Sequence, residues 1–342
     1  MHRLSCEKSE AGGLGSRGFI RWFLALVLLA LAGVAGSGAY LYKQLTSEGP
    51  LLEEQVLWIE RGNGMETVTG KLADMGALTD ERIFTYFAKA TDLGAELRAG
   101  EFAVPAGASM LEIVEIIQSA KPILHYVTIP EGRTVVQTFA LINAEEILEG
   151  EISLEVREGE LLPETYAFQR GDTADDLVQR MVNDHYTLLE ELWPLRADNL
   201  PFNTMEEAVI LASIVEKETA LAEERPRVAA VFVNRLSRGM RLQSDPTIIY
   251  GLTGGEPLGR GIRQSELRGE TPYNTYVIRG LPPTPIANPG RASIAAVLNP
   301  AQTNDLYFVA DGTGGHVFAS TLREHNQNVA AWRRIERARA QQ

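Results

Sequence analysis

The sequence predicts an α+β protein: an N-terminal apolar helix, a small α+β unit, and a larger mixed α+β domain containing a helix studded with carboxylates. Three observations predict this. Trp22 to Tyr42 runs 21 residues without a charge, about the length that crosses the hydrocarbon of a bilayer. Beyond it, short β-rich runs and stretches of helical period are mixed along the chain. The third is "MEEAVILASIVEKETALAEER", residues 205–225, an apolar helical stretch with glutamates set into it. With 342 residues and 45% hydrophobic content, the chain can bury one large core or two moderate ones.

Residues 1–21 read as a cytoplasmic tail, 22–42 as a transmembrane helix and 43–55 as a linker. Arg3, Lys8, Arg17 and Arg21 outnumber Glu7 and Glu10 before the apolar run, whereas Lys43 is followed by Glu48, Glu53 and Glu54. The more positive side stays in the cytoplasm, so the remainder is expected outside the membrane, in the periplasm of a bacterial inner-membrane protein. Trp22, Tyr40 and Tyr42 suit interfacial anchors. A cleaved signal peptide is the competing reading, with Ala35 and Ser37, or Ser37 and Ala39, as the small residues; the length of the run favours a retained anchor. Cys6 is the only cysteine and lies on the cytoplasmic side, so the exported part makes no disulfide. No apolar run precedes "LSC", as a lipoprotein requires. A net charge of -13 argues against nucleic acid as a partner, because phosphate binding needs clustered Lys and Arg.

Residues 56–121 form the small unit: a strand "VLWIE", helices around "METVTGKLADMG" and "TDERIFTYFAKA", a strand "GEFAVPAG" and a helix "MLEIVEIIQSA". In residues 122–342, "ILHYVTIPEGRTVVQTFALI" runs from strand to turn to helix, and the region after Glu158 ends in another helix. Thr204 and Glu207 make a capping box for the glutamate helix; Pro226 opens a second helix that closes at Gly239. "DLYFVADGTGGHVFA" reads as a hairpin, and a last helix starts near Thr321 with Glu324 as its box partner.

At about 100° per residue, Leu211, Ile214, Val215, Leu221 and Ala222 share an arc with Glu218 near its middle. Glu216 faces away, among Val209, Ala212, Ser213 and Ala220. Two readings of Glu218 follow. It is either one half of a buried ion pair, with Arg227 or Arg235 as partner, or a general acid whose pKa is raised by desolvation.

Other chemistries find little support. Histidines 2, 125, 185, 316 and 325 show no HExxH or paired spacing, so the sequence predicts no metal. No G-x-S-x-G elbow is present, and "GTGGH" lacks the Lys-Ser/Thr of a phosphate loop and lies in the hairpin. The polar and aromatic loops between Gln243 and Pro289 are more informative. Gln243, Asp245, Tyr273, Asn274 and Tyr276 are the rings and amides that suit a sugar, although Asp245 before Pro246 also reads as a turn or helix-cap residue.

Taken together, "ILASIVEKETA", "VFVNRL", "MRLQSDPTIIYG", "PYNTY", "GLPPTPIANPG" and "LYFVADGTGGHVF" resemble the endolytic murein transglycosylase, or YceG-like, family over about residues 50–335. The resemblance implies a single-pass bacterial membrane enzyme with a LysM-like subdomain at 56–121 and a catalytic domain at 122–342 with a lysozyme-like glutamate helix. It implies peptidoglycan glycan strands as substrate, peptidoglycan synthases (the penicillin-binding proteins) as partners, and no cofactor. It makes the second glutamate of E-K-E-T, Glu218, catalytic, with Thr219 orienting it; Glu216 reads as structural, holding a loop or the neighbouring helix by polar contacts, with a supporting role as the alternative. A lytic transglycosylase needs one carboxyl group, because the C6 hydroxyl of the substrate is its nucleophile. The rivals are a muramidase-type hydrolase using Asp245 as second carboxylate and a non-catalytic wall-binding scaffold.

Overall fold

A computed structural model describes residues 16–339, which form two units, one through Ile123 and one from Leu124. Cys6, Arg3, Lys8, Glu7 and Glu10 lie outside the described residues.

The first unit opens with α1 (Ser16–Thr46). From Gly18 onward this helix is long and apolar enough to cross a membrane, with its apolar window unburied. There follow β1 (Gln55–Ile59), α2 (Met65–Asp74), α3 (Glu81–Ala90), β2 (Gly100–Val104) and α4 (Met110–Ser119). β1 and β2 pair antiparallel, from Gln55↔Val104 to Ile59↔Gly100. Leu57, Ile59, Phe84, Phe102, Ile113 and Ile117 fill the core between sheet and helices. Caps fix the helix starts: Asp80 accepts from Arg82 N and Ile83 N, and Ser109 and Glu112 form a capping box.

The second unit contains β3 (His125–Thr128), α5 (Val135–Ile142), β4 (Thr165–Phe168), α6 (Ala174–Leu192), α7 (Met205–Glu218), α8 (Arg225–Ser237), α9 (Asp245–Thr253), α10 (Gln264–Leu267), α11 (Arg291–Leu298), β5 (Tyr307–Ala310), β6 (His316–Ala319) and α12 (Leu322–Arg339). β3 pairs with β4 and β5 with β6, both antiparallel. The chain is therefore mixed α+β, with short hairpin-like pairings instead of one large sheet.

α7 is the axis of the second unit. Every residue from Ala208 to Val215 is buried, packed with α8 and α11 through Leu211, Ile214, Val228, Phe232, Ile294 and Val297. This corrects the one-sided arc expected from the sequence: the helix is apolar all round because it is enclosed on all sides. Nor does it reach 225. Thr219 is extended (φ -142°, ψ 133°) and its Oγ1 accepts from Leu221 N, a local side-chain bond that competes with helix. Leu221 and Ala222 therefore lie outside the helix, and Glu218 is its last residue. α8 begins at Arg225 with Pro226 in its first turn and is followed by Gly239 at φ 65°, the left-handed closure its sequence signals.

Asn288, wholly buried, ties three segments together. Its Oδ1 accepts from Gly159 N and Leu161 N, and its Nδ2 donates to Arg133 O.

Candidate active site

Glu218 stands at the C-terminal end of α7, beside a cavity of about 650 Å³ lined by Arg235, Gln243, Asp245, Tyr276, Phe308 and one face of α12. Ser244, itself buried, donates its hydroxyl to Glu218 Oε1 at 2.5 Å. Burial pushes the Glu218 pKa up to about 7 and the charge of Asp245 pushes the same way; the Ser244 hydrogen bond, His316 and Arg235 oppose them. Desolvation disfavours the ionised form, while a donor or a cation favours it. The result is a carboxyl group that both holds and releases a proton near neutrality.

The ion-pair reading of Glu218 meets different geometry. Arg227 binds Asp305 at 2.7 Å. Arg235 donates from Nε to Leu306 O at 2.6 Å and from Nη1 to Leu242 O at 2.7 Å. Arg235 therefore acts on Glu218 through the local field rather than by contact.

The buried ion pair belongs to Glu216 instead. Its side chain, 5% exposed, accepts from Arg225 Nη2 at 3.4 Å and from Gly290 N at 3.0 Å. Arg225 also holds Glu131 at 2.9 Å. A Cβ at Gly290 would meet the Glu131 carboxylate, which would have to swing aside. Thr219, buried, donates to Glu224 Oε2 at 3.3 Å. Glu224 in turn accepts from His316 N at 2.8 Å and lies 2.7 Å from the His316 Nδ1, so Thr219 links the end of α7 to β6.

Of the five loop residues singled out as sugar-binding, the structure brings Gln243, Asp245 and Tyr276 to the cavity. Asp245 is the first residue of α9, whose N-cap position is held by Ser244; it accepts from the Tyr276 hydroxyl at 2.7 Å. Gln243 has φ 54°, a left-handed conformation that costs a non-glycine residue on the order of 1 kcal/mol and here sets its side-chain oxygen 3.3 Å from Arg235 Nη1. Tyr273 and Asn274 lie elsewhere. Tyr273 bonds Thr284 at 2.8 Å and packs edge-on against Tyr250. Asn274 is buried, donates to Glu266 O and Gly269 O, and so holds its own loop.

Sequence reasoning offered Arg235 only as an ion-pair partner of Glu218, gave Ser244 no role of its own, and did not single out His316 or the α12 face. Ser244 sits between two chosen residues, and only the turn geometry shows that it points at Glu218. The α12 face had a signal: His325, Val329, Trp332 and Glu336 recur at helical spacing.

The YceG-like family matches residues 57–331. An endolytic murein transglycosylase of Bacillus subtilis is 37% identical over 171 residues, half of this chain and 46% of that protein. One from Streptococcus pneumoniae is 29% identical over 357 residues, covering 89% of this chain and 64% of that protein. The matched region thus spans less than two thirds of either curated relative. A putative YceG-like protein of Listeria monocytogenes of known structure is 28% identical over 80% of this chain and 98% of its own, with a TM-score of 0.49. The match over most of its length places the chain in the YceG-like family.

Proposed function

We propose that the chain is an endolytic lytic transglycosylase that cleaves the bond between N-acetylmuramic acid and N-acetylglucosamine inside peptidoglycan strands, leaving 1,6-anhydro ends. The observation that carries this reading is Glu218: a carboxyl group raised to about 7 and held by Ser244, beside a cavity of polar and aromatic residues. The names of the relatives support the substrate.

In this mechanism protonated Glu218 gives its proton to the glycosidic oxygen as that oxygen leaves the muramyl C1. The C6 hydroxyl of the same sugar then attacks C1 and its proton passes to the Glu218 carboxylate. One proton leaves the enzyme and one returns, no water is consumed, and Glu218 is ready again. A pKa near 7 suits both halves, since the group is acid enough to donate and basic enough to accept. Ser244 fixes Oε1, and Tyr276, Gln243 and Asp245 line the cavity that takes the sugars.

Asp245 favours one second reading, because a second carboxylate in the cavity is what a hydrolase uses. Mass spectrometry of products from purified sacculi tests both. Anhydro ends are expected; reducing ends would replace the transglycosylase with a muramidase, and no release would leave a wall-binding scaffold.

Around this core, α1 serves as an uncleaved anchor with its N-terminus in the cytoplasm, and the unit at 56–121 is a LysM-like module that lies along glycan. Anchoring beside the membrane suits a terminase of nascent strands working next to a penicillin-binding protein. Mature protein beginning near Ser37 or Ala39 would overturn the anchor, and glycan binding unchanged by deletion of 56–121 would reduce that unit to a spacer.

A further inference from the structure

Arg235 presents a guanidinium whose hydrogen bonds are only partly used. The residue is 8% exposed. Nε is taken by Leu306 O, and Nη1 by Leu242 O, Arg241 O and the Gln243 side chain. Among the described residues nothing accepts from Nη2, and the side chain lines the Glu218 cavity. A buried cation without an ionic partner is expensive, and carbonyl oxygens offset only part of that cost. The acidic groups of the cavity do not bind it: Glu218 takes the Ser244 hydroxyl, Asp245 takes the Tyr276 hydroxyl, and Glu336, at the rim on α12, makes no ion pair with it among the described residues.

Across the cavity, α12 supplies a second cation. Arg333 lines the cavity and is exposed at its rim; its guanidinium makes no hydrogen bond or ion pair with the described residues. Its neighbours on this wall are Val329, Trp332 and the exposed Glu336, so a wall that is apolar apart from one carboxylate carries the charge into the opening. His325, on this wall too, has its pKa lowered by burial and by Arg235, and adds no positive charge near neutral pH.

We infer that Arg235 from the floor and Arg333 from the rim form a binding site for a carboxylate carried by the glycan, and so select strands with acidic substituents over neutral ones. Guanidinium groups suit this task, pairing with carboxylates by charge-assisted hydrogen bonds. The inference rests on the transglycosylase reading and names what its cavity selects. Two sources supply the carboxylate in murein: the lactyl ether of the muramyl sugar once its peptide is removed, or the free carboxyl groups of an attached peptide.

The full-length protein would be assayed on three strand preparations: peptide-bearing; stripped by an amidase, which frees the lactyl carboxylate; and stripped strands whose carboxylates are converted to methylamides. The expected result is a kcat/KM at least about 3- to 10-fold lower on the methylamide strands than on one of the charged preparations. The better of the two charged preparations identifies the source. Arg333→Gln, at an exposed position that folding tolerates, should shrink this preference. Equal kcat/KM on all three preparations would overturn the inference while leaving the transglycosylase reading intact. A preference that Arg333→Gln leaves whole would assign recognition to Arg235 alone and overturn the two-arginine site. No cleavage of any preparation by the wild type would sink both readings together.

Discussion

The Ser244 hydroxyl donates to Glu218 Oε1 at 2.5 Å, so the start of α9 holds the carboxyl group at the end of α7. This bond favours the ionised form and lowers the Glu218 pKa against the pull of burial. Ser244→Ala should therefore raise that pKa further and shift the alkaline limb of the activity profile upward. Turnover should fall as well, because the carboxylate loses its orientation and becomes a poorer leaving base for its proton. A pH–rate profile that does not move would mean that the bond does not tune the acid.

Glu218→Gln keeps shape but removes the transferable proton. Anhydro-end formation should fall by about 10⁴-fold or more, at the top of the usual range for a single acid–base group, because both half-reactions use it. Folding should not suffer. Anhydromuropeptide yield and melting temperature, measured on one sample, check both statements; a melting loss proportional to the activity loss would recast Glu218 as structural.

Stability should depend on pH in the same region. Burial raises both Glu218 and Glu158 to about 7, so the folded state binds protons more tightly than the unfolded chain at these two groups. Their contribution is complete below the ordinary carboxylate value of 4.5 and is lost as pH rises through about 7. Moving a carboxyl from 4.5 to 7 corresponds to roughly 3 kcal/mol. Glu158→Gln should flatten the decline between pH 5 and 8 in urea titrations, and an unchanged slope would count against a buried, protonated Glu158.

Arg225 holds two carboxylates, Glu216 and Glu131. Arg225→Met should cost about 3 to 5 kcal/mol, since it leaves the buried Glu216 uncompensated. Glu216→Gln keeps the hydrogen bond from Gly290 N and should retain most turnover per folded molecule. Chemical denaturation beside active-site titration separates the two effects, and a folded Glu216→Gln protein without turnover would move this residue into the chemistry.

Gly290→Ala should cost less than the loss of Arg225, because what it displaces is the end of the exposed Glu131 side chain and Glu216 keeps Arg225. The added methyl would occupy the place of the Glu131 carboxylate and expel it from Arg225. A melting temperature within a degree of wild type would show that the loop shifts freely.

Local rules carried much of this fold. Capping pairs such as Thr204 with Glu207 and Thr321 with Glu324 act within one turn, and each marks its helix start in the structure. The end of α7 was less legible because Thr219 is free to continue a helix; the competing bond from Leu221 N and the pull of Glu224 decide otherwise. Helical spacing placed Glu218 by assuming a water-exposed far side, whereas α8 and α11 cover that side. Asp245 and Tyr273 have similar sequence settings, yet one faces the cavity and the other bonds Thr284. Only the path of the loop distinguishes them.

Asn288 also bears on how the second unit folds. Its partners Gly159 and Arg133 are 129 and 155 residues away along the chain, so the node closes only after most of the second unit has assembled. Closing such long loops adds little to the equilibrium cost, which grows logarithmically with length, but contacts of this separation slow folding. The segment from Gly132 to Arg133 and the loop ending at Gly290 flank Glu216 on α7 and are joined through Asn288. The frame around Glu216 is thus completed only when segments from opposite ends of the second unit's sequence have met.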